Sequence, residues 1–328
     1  MRDVRMQLQS PSGLLIEAST GSADGVLDQF YQDYDAAFVL ENEKEGRDGF
    51  VECLALNDAP YAGLAARFGA FREFVLVARG GAGSPRIGGA NFIAFPLPEP
   101  GAAGAGLLSV NLNYVFINPP ARRSGYLKRL VRDLPEIAHR LFAATNAADL
   151  PRQWRVSAGG LPPTLVFIEQ NDPYRMSREE YERDTSYTGL DQIARIGIWS
   201  RLGARVVDFP YVQPPLSANQ AADHNLLLAV LGAGGTALSA CLLGDHLRRF
   251  FGISVLKGAD PLRDPVAARQ LQALHAACAE RRAIPLVPAH RLEQALSHGL
   301  SEAIPRPATL RELVGSQTRP IVASPKDL

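Results

Sequence analysis

A short segment with two arginines and a glycine, Asn118-Pro119-Pro120-Ala121-Arg122-Arg123-Ser124-Gly125, is suited to binding an anion. It joins an apolar stretch to a run whose apolar positions recur with helical period from Leu127 to Leu141. The prolines cannot donate hydrogen bonds within a sheet, so the strand ends before them. Free backbone N–H groups and the helix dipole favour negative charge where the helix begins. The pattern predicts a strand, a phosphate-binding turn and a helix, with an ordinary connection bearing solvated arginines as the alternative.

A carboxylate at the end of a second apolar strand is a candidate proton acceptor. Thr164–Glu169 reads TLVFIE, which is typical of a buried parallel strand, and polar Gln170–Pro173 follow it. Polar residues at the carboxyl end of such a strand lie at the usual ligand crevice of an open α/β sheet. Glu169 is therefore the candidate general base. The alternative is a structural ion pair with Arg122, Arg123 or another arginine.

The strand predicted at Leu107–Ile117, LLSVNLNYVFI, carries two asparagines, which are depleted in strands. Strict alternation would place Leu112, Tyr114 and Phe116 on one face and Asn111, Asn113, Val115 and Ile117 on the other. The asparagine face is either the wall of a polar cleft or a solvent-facing side of the sheet.

The composition is that of an average soluble protein, with 328 residues, 46% hydrophobic and 21% charged. Lysine plus arginine and aspartate plus glutamate number 34 each, so no global field attracts nucleic acid or an anionic membrane. We therefore expect neither as a partner. The amino end lacks a signal-peptide pattern, and no apolar run approaches the ~18 residues of a spanning helix. The expected location is cytoplasmic.

Cysteine and histidine spacing argues against a disulfide framework and a metal site. The three cysteines, Cys53, Cys241 and Cys278, are odd in number and far apart, so we expect buried or incidental thiols. None of the six histidines forms an i, i+4 pair. No metal is predicted.

The anion-binding segment resembles a family signature. Its run Ile117-x-Pro119-x-x-Arg122-Arg123-x-Gly125-x-Leu127 is similar to the cofactor motif V-x-P-x-x-(Q/R)-x-x-G-x-(G/A) of the GNAT superfamily of acyl-CoA-dependent N-acyltransferases. Four positions fit, whereas Leu127 stands where the family usually has glycine or alanine.

A second segment, Ile198–Ala204, resembles the family landmark L-Y-E-K-L-G-F in its spacing. Trp199 replaces the family tyrosine, which is often the acid that protonates the departing thiolate. An indole N–H donates a hydrogen bond but is not a useful acid. A water molecule or a nearby tyrosine such as Tyr211 could take that part.

The resemblance implies an α/β, GNAT-like fold: a mixed, mostly antiparallel central sheet with flanking helices, here with a helical C-terminal extension. We expect an N-terminal segment at 1–25 with one short strand at Gly13–Glu17, the acyltransferase domain at 26–235, the extension at 236–315 and a polar tail at 316–328. The extension has apolar helix faces that require cover, either from the sheet or from a partner subunit, so a homodimer is possible.

The resemblance also implies roles for individual residues. The backbone of Val115, Phe116 and Ile117 would bind pantetheine and polarise the thioester carbonyl. The pyrophosphate and the rest of the cofactor would contact Arg122, Arg123, Ser124, Gly125, Tyr126, Leu127 and Trp199. Asn113 and Tyr211 would line the acceptor pocket, although Tyr211 could equally be a surface residue.

Together, these features predict that the protein is an acyltransferase. Its reaction would be direct transfer of an acyl group, first of all acetyl, from acetyl-CoA or another acyl-CoA to an amine of a small molecule or peptide, with Glu169 as the base. One alternative is an acyl carrier protein as donor, because the arginines could contact its acidic surface. The other is a module that binds acyl-CoA without catalysis.

Overall fold

The computed structural model of the chain describes residues 4–38, 44–98, 106–146, 162–217, 220–288 and 311–312. The strands are β1 (Arg5–Gln9), β2 (Leu15–Ser19), β3 (Arg72–Arg79), β4 (Arg86–Pro98), β5 (Gly106–Ile117), β6 (Thr164–Asn171), β7 (Arg205–Val207), β8 (Leu226–Leu231), β9 (Ala237–Ser239) and β10 (Ala283–Pro288). The α-helices are α1 (Val26–Ala37), α2 (Arg47–Ala55), α3 (Tyr61–Phe68), α4 (Tyr126–Thr145), α5 (Arg178–Thr188), α6 (Gln192–Arg201), α7 (Ala240–Phe250) and α8 (Pro265–Ala279).

The strands form one sheet in the order β1-β2-β3-β4-β5-β6-β8-β7-β10-β9. Only the pairing of β5 with β6 is parallel; the other pairings among the described strands are antiparallel. A parallel pair requires a long crossover, which includes α4 here. The predicted fold class, a mixed and mostly antiparallel sheet with flanking helices, is confirmed.

Helices cover both faces of the sheet, which explains why its central strands are apolar on both sides. On one face α4 presents a stripe of Leu130, Leu134, Ile137 and Leu141 to the alternate residues of β3–β6. On the other face, α1 and α2 pack over the β3 side, while α7 and α8 pack over the β6 side. The ends of β5 and β6 therefore lie between these layers.

The amino-terminal segment contributes more structure than the single strand expected at Gly13–Glu17. It forms the antiparallel pair β1–β2, which extends the sheet beside β3. The turn between them is bound to α4, because the buried Asp133 carboxylate accepts hydrogen bonds from Ser10 Oγ, Ser12 Oγ and Ser12 N.

The helical extension expected at 236–315 contains two long helices, α7 and α8, and their apolar faces pack on the chain's own sheet. It also supplies two strands that the sequence did not predict: β10 pairs with β7, and β9 pairs with β10. A further helix expected near Arg291–His298, and the polar tail from 316, lie outside the described residues.

The expectation that all three cysteines are thiols is wrong. A disulfide joins Cys241 in α7 to Cys278 in α8, with the Cα atoms 4.7 Å apart, and Cys53 is a buried free thiol. The two residues are separated by 37 positions in sequence, and packing of α7 against α8 brings them together. Among the described helices, none combines the length and apolar character needed to cross a membrane.

Candidate active site

The parallel pair β5–β6 comes apart at its middle. Its pairing runs from Leu108 opposite Thr164 to Leu112 opposite Ile168. Beyond that point β5 continues along β4 and β6 continues along β8. No strand of the described chain fills the gap, so the main-chain N–H and C=O groups that face it are not used in the sheet. Such groups require partners, which a ligand or water can supply.

A β-bulge lies on β5 where the gap begins. Asn91 of β4 is paired with Tyr114, whereas the next residue, Phe92, is paired with Leu112. Asn113 is therefore an extra residue that has no paired residue on β4. A bulge shifts the alternation of the strand and often re-aims side chains beside a site.

The bulge corrects the predicted faces of β5. Tyr114 and Phe116 pack against α1 and α2, on the same side of the sheet as the Asn111 side chain, whereas Leu112 and Val115 pack on the α4 side. Strict alternation predicted that Leu112, Tyr114 and Phe116 share a face.

The turn that follows β5 leads directly into the amino end of α4. Gly125 is the N-cap residue with a φ of 75°, and no side chain caps the first turn of the helix. Arg123, Ser124 and Gly125 are exposed, while Arg122 donates from Nε to the carbonyl of Ile117 at 3.1 Å. An uncapped helix end with an exposed arginine is a suitable place for an anion.

Glu169 lies on β6 just beyond the last pair with β5. Its carboxylate accepts a hydrogen bond from the Tyr211 hydroxyl and is also hydrogen-bonded by the Asn111 side chain. Burial raises the pKa of Glu169 from 4.5 to about 7, and Asp223 adds to this, whereas the two hydrogen bonds oppose it. In the described part of the chain Glu169 makes no ion pair, so the arginine pairing considered from the sequence is not observed.

A cavity of about 220 Å³ opens where the strands part. The end of β5 and the end of β6 form one wall, and α6 contributes Trp199. Other walls come from the α1–α2 region and from the carboxyl-terminal part, including Phe250, Ser254 and Val255. Within the described residues, the cavity's ionisable side chains and their near neighbours are Glu45 paired with Lys257, Arg195 paired with Asp184, Cys53, Tyr114, Asp223 and Glu169.

The predicted site residues fall into four groups. Glu169, Asn113, Val115 and Trp199 line the cavity together. Tyr211 is buried behind it and reaches the site only through Glu169. Phe116 and Ile117 have buried side chains, so only their backbone can take the predicted role. Arg122, Arg123, Ser124, Gly125, Tyr126 and Leu127 lie at the far end of β5, where α4 begins.

Sequence reasoning missed several residues of this region. His246 of α7 is fully buried and hydrogen-bonded to Asn111, and Asp223 lines the cavity near Glu169. His246 is the one polar residue on the buried, leucine-rich face of the amphipathic helix α7. A lone polar residue on an apolar helix face is the sequence signal that could have indicated a buried polar contact. The described residues contain no group of three or more His, Cys, Asp or Glu side chains that could hold a metal ion.

No family model and no curated protein matches the sequence. Among solved structures, the chain is similar to the ribosomal-protein-S18-alanine N-acetyltransferase from Escherichia coli, with 12% identity over 67% of this chain and 96% of that one, and a TM-score of 0.31. It is also similar to the NatC complex bound to Gag peptide and CoA (10% identity, 71% and 99% coverage, TM-score 0.30). The ribosomal-protein-S5-alanine acetyltransferase from Vibrio fischeri gives 12% identity over 71% of this chain and 98% of that one, and a TM-score of 0.30.

The fold itself is GNAT-like, because a parallel pair parts in the middle of an otherwise antiparallel sheet and a helix follows the parted strand. At these identities and TM-scores, no role is transferred from those structures to residues of this chain.

Proposed function

We propose that this protein transfers an acyl group, first of all acetyl, from acyl-CoA directly to an amine of a small molecule or peptide. One observation carries the proposal. The gap between β5 and β6 leads into a cavity in which Glu169 has a pKa of about 7, at the very point where the strands part. Backbone groups that are free to bind a ligand thus lie beside a side chain that can accept a proton.

The residues around the gap fit the chemistry of acyl-CoA. The pyrophosphate is anionic, and the uncapped first turn of α4 with the exposed Arg123 offers N–H donors and positive charge. The Leu127 side chain, half-buried here, occupies the position where the family has glycine or alanine. The edge of β5 from Val115 to Ile117 would bind the pantetheine amides, and its N–H groups would stabilise charge on the thioester oxygen.

Glu169 would accept the proton that the ammonium must lose before the amine attacks the thioester carbon. A base with a pKa near the working pH is ionised in a useful fraction of molecules and still has a useful driving force for proton transfer. Such a base typically raises the reaction rate by about 10²–10⁴-fold. Tyr211 would hold the carboxylate in place rather than act as an acid, because its hydroxyl is committed to Glu169. The thiolate is a leaving group with a conjugate-acid pKa of about 8.5, so it departs without the family tyrosine that Trp199 replaces.

The charges at the cavity favour an amine as acceptor. Glu45 and Arg195 are each neutralised by a partner, Lys257 and Asp184 respectively. Glu169 and Asp223 form no ion pair among the described residues, so an ammonium group would meet net negative charge. The ammonium would pass one proton to Glu169 before it attacks, because only the neutral amine has a free lone pair, and the proton that the nitrogen loses after the attack would go to the departing thiolate.

Calorimetric titration of acetyl-CoA and longer acyl-CoAs tests the donor site. We expect micromolar binding by the wild type and its loss in Arg123→Glu and in Gly125→Glu, since both place negative charge at the pyrophosphate turn. Wild-type protein that binds no acyl-CoA contradicts the proposal. Equal competition by pantetheine and CoA would instead indicate an acyl carrier protein as donor.

A screen of primary amines, with release of the free CoA thiol as the readout, tests catalysis. Glu169→Gln should lower kcat/KM by about 10²-fold or more while binding of acyl-CoA is unchanged, because Gln keeps the size but not the basicity of the side chain. Binding without turnover of any amine would indicate a non-catalytic acyl-CoA-binding module.

A further inference from the structure

A buried chain of hydrogen bonds runs from α7 to the base. Ser109 Oγ lies 2.9 Å from His246 Nδ1, and His246 Nε2 lies 3.1 Å from Asn111 Oδ1. Asn111 Nδ2 then donates to Asn113 Oδ1 at 2.9 Å, and Asn113 Nδ2 donates to Asn91 Oδ1 at 2.9 Å. Ser109, Asn111 and His246 are each 0% exposed, so water does not compete for these bonds.

The acceptor at the Asn91 end gives the chain a direction. Asn91 Nδ2 donates to the carbonyl of Phe74 at 2.9 Å, and a carbonyl can only accept. Its Oδ1 must then accept from Asn113, whose Oδ1 in turn accepts from Asn111. Asn111 Oδ1 is consequently an acceptor, and the proton of the imidazole resides on Nε2. The Nδ1 atom is left to accept from the Ser109 hydroxyl.

The same direction determines what Glu169 meets. With its oxygen held by His246, Asn111 presents its amide N–H groups to Asn113 and to the Glu169 carboxylate. The reversed amide would bring an oxygen toward that carboxylate, which repels the ionised form. Burial also lowers the pKa of His246 well below its usual range, helped by Arg249, so the ring stays neutral.

We propose that His246 is a positioning residue for the base: it holds the Asn111 carboxamide so that an amide N–H faces Glu169. The inference rests on the proposed function for its catalytic meaning, but the geometry holds for Glu169 in any role. Because His246 belongs to α7, this role would make the carboxyl-terminal part of the chain a functional part of the site. The other titratable groups that face Glu169 are Tyr211, Asp223 and Tyr114.

His246→Phe is the decisive variant, because the imidazole already stacks on Phe167 with ring centroids 3.7 Å apart and lies among Phe95 and Phe250. A phenyl ring keeps this packing but offers nothing to Asn111. His246→Gln is the matched rescue, since a carboxamide can donate to Asn111 and accept from Ser109. Ser109→Ala is a milder variant that removes only the outer hydroxyl.

The measurement is the pKa of Glu169 by ¹³C NMR of protein labelled at the glutamate carboxyl carbons, assigned by the signal missing in Glu169→Gln. We expect His246→Phe to raise the pKa of Glu169 by about 0.5 to 1, the effect of losing one oriented hydrogen bond. His246→Gln should restore it, and Ser109→Ala should shift it less in the same direction. If His246→Phe does not fold, the Ser109→Ala result decides.

An unchanged pKa in the deciding variant overturns the proposal, as does an equal shift in His246→Gln and His246→Phe. Because the NMR measurement uses no substrate, a negative result would refute the positioning role of His246 without bearing on the proposed function. A pKa that shifts in a protein without transferase activity would keep the positioning role and refute the transferase. In an active protein, the pH profile of kcat/KM should move with the pKa measured by NMR.

Discussion

Replacement of Glu169 by Gln should stabilise the folded protein above neutral pH. Burial raises the pKa of Glu169 from 4.5 to about 7, so between these values the folded state binds more protons than the unfolded state. Stability contributed by this group is therefore lost as the pH rises through that window. At about 1.36 kcal/mol per pKa unit, the full difference corresponds to about 3 kcal/mol. A glutamine does not titrate and escapes this loss.

Urea unfolding of wild type and Glu169→Gln at pH 5 and pH 8 measures the effect. The variant should exceed the wild type by less than about 1 kcal/mol at pH 5 and by about 3 kcal/mol at pH 8. Glu73→Gln is a matched control, because burial also raises the pKa of Glu73 to about 7 and its side chain does not line the cavity. Both variants should gain stability, but only Glu169→Gln should lose transferase activity.

An equal stability difference at both pH values would refute the assignment of a raised pKa to Glu169.

Three further predictions concern the turn, the partner of the base and the cysteines. Arg123→Glu should weaken acyl-CoA binding at least tenfold by calorimetry, whereas Arg281→Glu, at another exposed arginine with positive φ, should leave it unchanged; equal losses would remove the turn from the site. Tyr211→Phe should move the pH profile of kcat/KM upward by about 1, because its hydrogen bond lowers the pKa of Glu169, and an unmoved profile would contradict this. Thiol titration of the unfolded, unreduced protein should find Cys53 alone, and reduction should lower stability by about 3–4 kcal/mol; three free thiols before reduction would exclude the disulfide.

The central part of the fold was predictable because its signals are local. A pair of prolines ends β5, a glycine precedes α4, and the apolar stripe of α4 has helical period from Leu130 to Leu141. The short edge strands were not predictable in the same way. β10 reads AIPLVP and contains prolines, and it is a strand only because β7 and β9 provide partners on both sides.

Site residues at the end of a strand or helix could be predicted from the sequence. Residues whose position depends on contacts between distant strands and helices could not. Glu169 could be proposed because it ends an apolar strand. The bulge at Asn113 could not, since one extra residue is visible only once β4 and β5 are paired. His246 is separated from Asn111 by 135 positions in the sequence, and no local pattern relates the two residues.

The parting of β5 and β6 also bears on how such a sequence can diverge. The donors and acceptors that face the gap belong to the peptide backbone, and no exchange of one side chain for another removes them. Packing constrains the side chains along these strands, whereas the backbone groups that face the gap are present whatever the side chains are. A chain of this design can exchange side chains along β5 and β6 and still keep the opening between them.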